Sequence, residues 1–188
     1  MELVSEAIAF ATKAHDGMRR RNSDLPYILH PMEVGAIIGT MTDNQEVIAA
    51  GILHDVVEDA GVTLEEIKEK FGERVMALVA SETENKREGL PAKETWRIRK
   101  EESLEKLKAS DDVEVLMLWM GDKLSNIRTF YRSYLVEGNA LWKKFNQHDT
   151  CAQAWYYRSI LKYTERLSKT LAWQEYKTLV EKIFGVEE

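Results

Sequence analysis

The sequence predicts an all-α fold, a compact bundle of about 8–10 helices. Its 188 residues include only three prolines and ten glycines, so long stretches contain no residue that breaks a helix. In those stretches the apolar residues recur with the period of a helix, whereas a half-buried strand would show alternation. At this length a single domain buries enough apolar surface to fold without disulfides.

The first two helices are predicted on either side of a mostly polar link. The first covers about residues 3–19, and its apolar stripe consists of Ala7, Ile8, Ala11 and Ala14. The link follows at residues 22–26. The second helix is predicted to begin near Pro31, because proline is tolerated in the first turn of a helix.

Two capping signals mark the starts of later helices. Thr42 is followed three residues later by Gln45, and Thr63 in the same way by Glu66. This is the spacing of a capping box, in which two side chains satisfy backbone N–H groups at a helix start. The third helix is therefore predicted to begin after Thr42, and a short helix that ends near Gly72 is predicted after Thr63.

The rest of the chain predicts at least four more helices. One covers residues 73–82, and the densely charged residues 82–108 predict a mobile loop that leads into a solvated helix. A long helix is predicted over about residues 111–135, whose acidic start matches the positive end of the helix dipole. The remainder predicts two or three helices packed through aromatic side chains, namely Trp142, Trp155, Tyr156, Tyr157 and Trp173.

The composition excludes several classes of protein. The formal net charge is −6, which argues against the broad basic surface of a general nucleic-acid binder. The longest apolar run, residues 115–121, is far shorter than the roughly 20 residues that span a bilayer. Glu2 and Glu6 near the start argue against a leader peptide, and the single cysteine, Cys151, fits a reducing compartment. We therefore expect a cytoplasmic protein that binds neither nucleic acid nor membrane.

The most informative segment, residues 48–59, reads IAAGILHDVVED. On a helix its ionisable side chains share an arc of roughly 140°, and apolar residues fill the opposite side. These side chains are His54, Asp55, Glu58 and Asp59. A histidine beside an aspartate offers one nitrogen and one oxygen donor to a divalent metal. A solvated acidic surface is the alternative interpretation.

Two donors do not hold a metal firmly, so further ligands are expected elsewhere in the chain. His30 lies in PYILHP, where two prolines would fix the direction of its ring, although such a histidine alone is more often a cap or core residue. Asp122 follows a run of large apolar residues, where a carboxylate must be paired, hydrogen-bonded or metal-bound. Ser125, Asn126 and Thr129 extend from Asp122 as a polar stripe on the same helix.

The order of His30, His54, Asp55 and Asp122 resembles the HD superfamily of metal-dependent phosphohydrolases. The neighbouring sequence more narrowly resembles the hydrolase domain of RelA/SpoT-type alarmone enzymes and the stand-alone small alarmone hydrolases. The resembling stretches are residues 7–31, 49–72 and 121–130, which include the PYxxHP, HDxxED and DKLxN patterns. The resemblance implies a single HD hydrolase domain over residues 1–188, with motifs in about the first 135 residues and packing helices at about 136–188.

The resemblance implies one Mn²⁺ site whose ligands are His30, His54, Asp55 and Asp122. The mixed imidazole and carboxylate set favours manganese, and Zn²⁺ or another divalent ion is the alternative. The only other histidines are His15 and His148, so the additional ligands of binuclear relatives are missing. Glu58 and Asp59 match the acidic pair that orients or deprotonates the attacking water in these hydrolases.

The resemblance also implies residues that bind a guanine nucleotide. Arg20 and Arg21 match an Arg-Lys pair that packs on the guanine base and contacts phosphates, and Tyr27 and Asn126 match positions near the nucleoside. A solvated charge run and a core aromatic are the alternatives for the arginines and for Tyr27. The resemblance also implies further phosphate contacts, and two sets of residues are candidates: Lys86, Arg87, Lys93, Arg97 and Arg99, and Trp155, Tyr156, Tyr157 and Arg158. A solvated helix is the alternative for most of the first set, and aromatic core packing is the alternative for the three aromatic residues of the second.

The function implied by the resemblance is Mn²⁺-dependent hydrolysis of the 3′-pyrophosphate of guanosine 3′,5′-bis(diphosphate) or its pentaphosphate form. The products would be GDP or GTP and pyrophosphate. Two alternatives are a related phosphohydrolase that acts on another nucleotide or phosphomonoester, and a non-catalytic alarmone sensor. About 50 residues follow the motifs, and they are expected to form packing helices and no synthetase.

Overall fold

The computed structural model describes residues 2–20, 23–87 and 89–186. Within these ranges the fold is helical, and the only β pairing is one isolated bridge between Arg19 and Pro26. The predicted all-α class is therefore confirmed. Ten α-helices follow one another as α1 Leu3–Ala14, α2 Leu29–Ile38, α3 Gln45–Leu53, α4 Val56–Asp59, α5 Leu64–Phe71, α6 Glu73–Glu82, α7 Ala92–Ala109, α8 Val113–Glu137, α9 Thr150–Tyr163 and α10 Leu171–Phe184. Two 3₁₀ segments cover Gly138–Lys144 and Glu165–Leu167.

The ends of the first helices differ from the prediction. Helix α1 stops at Ala14, short of residue 19, and Gly17 then adopts a φ of +74° that lies outside the helical region. Helix α2 begins at Leu29, two residues before Pro31. The N-cap of α3 is Asn44, whose side chain accepts the Glu46 N–H, so the predicted capping box at Thr42 is wrong.

The second capping signal is present as predicted. The Thr63 side chain accepts the Glu66 N–H at 3.2 Å, and the Glu66 carboxylate accepts the Thr63 N–H at 2.8 Å. Helix α5 ends at Phe71, and its C-cap Gly72 has a φ of +90°, a conformation that glycine adopts without steric cost.

The segment that contains His54 and Asp55 is not one continuous helix. Helix α3 ends at Leu53, the two residues form a turn, and α4 is a single turn that begins at Val56. Both residues keep αR backbone angles, which explains why the sequence pattern resembles an unbroken helix.

Helix α7 corresponds to the helix predicted to be solvated, but one of its faces is buried. Trp96, Leu104 and Leu107 are 7%, 3% and 1% exposed. The Trp96 ring lies 6.1 Å from that of Tyr156 on α9, so the C-terminal aromatic residues do pack as anchors. No helix in the described part of the chain is long and apolar enough to cross a membrane.

Helices α2, α3 and α8 pack closely because glycines lie where they meet. A Cβ on Gly51 would lie 2.3 Å from Ile38 Cδ1, and a Cβ on Gly121 would lie 2.8 Å from Ile38 Cγ1. Both distances are too short for real atoms, so larger residues would separate the helices. Gly51 is three residues before His54 and Gly121 directly precedes Asp122, so this packing also sets the spacing of those two side chains.

We expect Gly121→Ala to lower the free energy of unfolding by up to about 2 kcal/mol, because overpacking outweighs the gain in helix propensity. Gly39→Ala is the matched control, since a Cβ there meets its nearest atoms at an ordinary 3.5 Å. Urea unfolding followed by circular dichroism measures both variants. Equal stabilisation by the two substitutions would show that Gly121 is not required for close packing.

Candidate metal centre

Four side chains from different parts of the chain converge at the centre of the bundle. His30 Nε2 lies 3.0 Å from Asp122 Oδ1, and His54 Nε2 lies 3.1 Å from Asp55 Oδ2. The two cross distances, from His30 to Asp55 and from His54 to Asp122, are 3.6 and 3.5 Å. Ligand atoms that share an ion at 2.0–2.2 Å are about 3.0–3.5 Å apart, so the spacing fits one divalent cation.

The ring nitrogens of the histidines are oriented for this role. His54 Nδ1 lies 2.8 Å from the Gly51 carbonyl, so Nδ1 carries the hydrogen and Nε2 is available as a ligand. His54 Nε2 is buried and has no hydrogen-bond partner, although two carboxylate oxygens are near it. A shared cation would satisfy this nitrogen, and His30, His54 and Asp122 form a buried group able to hold one.

The charges around the cluster favour cation binding. Burial opposes a charged His54 imidazole, but Asp55 and Asp122 outweigh burial and raise its pKa well above the ordinary value. Burial likewise opposes a charged Asp122, yet Lys123 and the two histidines hold its pKa well below the usual range. The carboxylates therefore keep their negative charge inside the protein, where only a cation or a protonated imidazole balances it.

Two residues predicted to contact substrate are linked to Asp122 by hydrogen bonds, Asn126 directly and Arg20 through Asn126. Asn126 Nδ2 donates to Asp122 Oδ1 at 2.6 Å, and Arg20 Nη2 donates to Asn126 Oδ1 at 3.0 Å. The predicted contact residue Arg21 lies outside the described residues. Lys123 pairs with the second Asp122 oxygen and with Glu82 at 3.0 Å.

The acidic pair on α4 faces two different environments. Glu58 lines the cavity around the metal cluster and accepts the Glu84 N–H, and burial raises its pKa. Asp59 accepts a hydrogen bond from Tyr27 and pairs with Lys86, whose Nζ also lies 3.5 Å from Glu58 Oε2. A carboxylate with a raised pKa is suited to take a proton from water, so Glu58 is better placed than Asp59 for that step.

Tyr27 connects the metal cluster to the acidic pair. Its hydroxyl lies 2.6 Å from Asp55 Oδ2 and 2.9 Å from Asp59 Oδ2. Burial, followed by the charges of these two carboxylates, raises the Tyr27 pKa far above its ordinary value, so the hydroxyl stays a donor. Its ring lies 4.9 Å from that of His15 and 6.1 Å from that of His30, and the Arg20 guanidinium lies 5.5 Å from it.

The metal cluster opens into a cavity that adjoins a second one. The first has a volume of 190 Å³ and the second 280 Å³. They share four lining residues: Lys100, Lys123, Asn126 and Tyr156. Aromatic rings of Trp96, Phe130 and Tyr157 also line the second cavity. Cations near the metal cluster and aromatic walls beyond it suit an anionic ligand that carries a planar group.

The candidate phosphate-binding cations that could not be ranked from sequence differ in their ion-pair partners and in whether they line a cavity. Lys86 pairs with Asp59, and Arg99 lines the second cavity while it pairs with Glu84. Arg97 and Arg87 pair with carboxylates of α7. Among the later candidates, Tyr156 and Tyr157 line the second cavity, whereas Trp155 and Arg158 line a separate surface groove.

Sequence reasoning did not single out Lys100 or Lys123, although both line the two cavities. Lys123 directly follows Asp122, and its position beside a proposed ligand was the available signal. Lys100 lies four residues after Trp96 and four before Leu104, so the buried stripe of α7 includes it.

The helical fold and this cluster of two histidines and two aspartates define an HD-type metal-binding domain. The sequence profile described as HD domain matches residues 7–146. The chain therefore belongs to the HD domain family, as its motifs predicted.

Three known proteins illustrate the relationship. A guanosine-3′,5′-bis(diphosphate) 3′-pyrophosphohydrolase of Aquifex aeolicus is 35% identical over 132 residues, 69% of this chain and 18% of that protein. The crystal structure of lmo0812 from Listeria monocytogenes EGD-e is similar with a TM-score of 0.72 and 32% identity, over 86% of this chain and 97% of that one. A metazoan ortholog of SpoT that hydrolyzes ppGpp has a TM-score of 0.78 and 20% identity, over 99% and 98% of the chains.

The curated relatives are much longer proteins. The chain spans between 15% and 18% of the length of those it matches most strongly. The match is therefore to one part of each relative.

Proposed function

We propose that this chain is a metal-dependent phosphohydrolase that removes the 3′-pyrophosphate of guanosine 3′,5′-bis(diphosphate) or its pentaphosphate form. The products would be GDP or GTP and pyrophosphate. The observation that carries the proposal is the four-residue metal cluster, which opens into a cavity lined by cations, aromatic rings and Glu58. The name of the Aquifex aeolicus relative supports the choice of substrate.

The proposed metal ligands are His30, His54, Asp55 and Asp122. Mn²⁺ is the proposed ion, because a mixed imidazole and carboxylate set suits it, and Zn²⁺ is the competing choice. When bound, such an ion supplies a Lewis acid for phosphate oxygens and acidifies water. The unpartnered Nε2 of His54 supports a cation at this position.

Residues of the chain would perform the proton transfer and bind the nucleotide. Glu58 would accept a proton from the attacking water, and Asp59, held by Tyr27 and Lys86, would support it. Arg20 and Asn126 would hold the nucleotide beside Asp122, with Arg21 as a further contact proposed from sequence. Lys100 and Lys123 add positive charge for phosphate groups.

The proposal also covers the domain organisation of the chain and its location in the cell. Residues 1–188 would form a single HD hydrolase domain, because helix α10 packs against α8 and so joins the C-terminal helices to the helix that carries Asp122. A cytoplasmic location is proposed because the free Cys151 thiol is exposed and would survive in a reducing compartment.

The direct test incubates the protein and Mn²⁺ with guanosine tetraphosphate and separates the products by anion-exchange chromatography. We expect one pyrophosphate for each GDP formed. A panel of other nucleotides and phosphomonoesters is assayed for orthophosphate. Orthophosphate release from the panel, without pyrophosphate from the tetraphosphate, would favour a different HD phosphohydrolase. Tight tetraphosphate binding without turnover at any metal concentration would favour a sensor.

Tyr27→Phe separates a positioning role from a nucleoside contact. We expect kcat to fall about tenfold or more with KM within twofold, because a hydrogen bond to a charged group contributes about 1.5–3 kcal/mol. Steady-state kinetics of pyrophosphate release measure both constants, and Tyr131→Phe, outside both cavities, is the control. A raised KM with unchanged kcat would instead indicate that Tyr27 binds the nucleoside.

A further inference from the structure

A hydrogen-bond chain leads outward from the proposed ligand His30. His30 Nδ1 lies 2.8 Å from the Ser125 hydroxyl, and that hydroxyl donates to Glu33 Oε2 at 2.7 Å. Ser125 is on α8, 1% exposed, whereas His30 and Glu33 are on α2. This hydrogen-bond chain therefore links α2 and α8 through Nδ1 of His30, the ring nitrogen that does not face Asp122.

The number of hydrogens available in this hydrogen-bond chain determines which nitrogen of the His30 ring carries a hydrogen. A serine hydroxyl has a single hydrogen, and the Glu33 carboxylate accepts it. The hydroxyl oxygen can then only accept from His30, so Nδ1 must carry a hydrogen. This leaves the lone pair of Nε2 directed at Asp122 and Asp55, as a metal ligand requires.

Glu33 is itself held by Arg128, which lies on the same helix, α8, as Ser125. Arg128 Nη1 donates to Glu33 Oε1 at 3.1 Å. The same guanidinium forks onto both oxygens of Glu175 on α10, at 2.7 and 2.6 Å. A bidentate pair fixes the plane of the arginine, so Glu33 cannot easily turn its carboxylate away from Ser125.

We propose that Ser125 and Glu33 are positioning residues that fix His30 as an Nε2 metal ligand, and that Arg128 and Glu175 anchor this pair to the C-terminal helix. The inference rests on the proposed metal role of His30. Partners of this kind change metal affinity by about 10–100-fold when removed.

The test measures Mn²⁺ binding to the metal-free full chain by isothermal titration calorimetry. We expect Ser125→Ala and Glu33→Leu each to weaken binding at least tenfold, and Ser125→Thr, which keeps the hydroxyl, to restore affinity to within threefold. Glu175→Gln leaves Glu33 in place and is expected to have a smaller effect. Thr164→Val is the control, because the Thr164 hydroxyl is buried and bonds only backbone carbonyls.

A second measurement detects the hydrogen on Nδ1 of His30 and does not depend on catalytic activity. In Zn²⁺-loaded protein, the Nδ1–H resonance of His30 is expected to exchange slowly with solvent, and Ser125→Ala is expected to lose this protection. Unchanged Mn²⁺ affinity in both Ser125→Ala and Glu33→Leu would overturn the inference alone. Failure of the unmutated protein to bind either metal would overturn the proposed metal centre itself.

Discussion

Replacing Glu58 by Gln is expected to lower kcat for pyrophosphate release by about 10²–10⁴-fold, the range contributed by a positioned general base. Glutamine has nearly the same shape, and its amide oxygen still accepts the Glu84 N–H that Glu58 accepts now. The substitution therefore removes the ability to take a proton and leaves the cavity intact. Mn²⁺ affinity is expected to stay within threefold, because Glu58 is not a proposed ligand.

Two further variants distinguish this role from a general effect of charge. Asp59→Asn is expected to lower kcat less than Glu58→Gln, because Asp59 is held by the Tyr27 hydroxyl and, unlike Glu58, is not among the residues that line the metal-cluster cavity. Glu69→Gln on the exposed side of α5 is expected to leave kcat unchanged. Single-turnover measurements at saturating metal would separate chemistry from product release. A kcat for Glu58→Gln within tenfold of the unmutated value would rule out Glu58 as the base.

Three of the four proposed ligands could be singled out from sequence because they depart from a local rule, whereas His30 was proposed from the resemblance. Asp122 is a carboxylate within a buried apolar run, and His54 and Asp55 interrupt another. Such departures carry a desolvation penalty that needs a partner, so they mark a site even before a fold is known. The all-α class followed for a similar reason, because helical periodicity is a local property.

The contacts that hold the site together could not be predicted in this way. His30 and Ser125 are 95 residues apart and Ser125 and Glu33 are 92 apart, so no local pattern relates them. The break between α3 and α4 was missed because both turn residues keep αR angles. Helix starts were ambiguous for a different reason, since Thr42 and Asn44 are both good N-caps and only the observed backbone selects Asn44.

Addition of Mn²⁺ is expected to raise the unfolding temperature of the unmutated protein, and Asp122→Asn is expected to abolish the rise. A ligand present at 100 times its dissociation constant stabilises the folded state by about 2.7 kcal/mol. For a chain of this size each kcal/mol corresponds to about 2–4 °C, so the predicted rise is roughly 5–11 °C. The metal-free cluster brings the carboxylates of Asp55 and Asp122 together around the same two imidazoles, and a cation relieves the repulsion between the carboxylates and satisfies His54 Nε2.

The comparison must be made within each variant, because Asp122→Asn also leaves Lys123 without one of its two carboxylate partners and changes the metal-free stability. Asp112→Asn is the matched control: it alters the N-cap aspartate of the same helix, which lies about 15 Å from Asp122 along the helix axis. It is expected to lose some baseline stability and to keep the full Mn²⁺-dependent rise. Differential scanning calorimetry measures the unfolding temperatures of all three proteins with and without Mn²⁺. An equal rise in Asp122→Asn would mean that the stabilising metal binds elsewhere, because a site that lacks one of four ligands and its charge cannot retain its affinity.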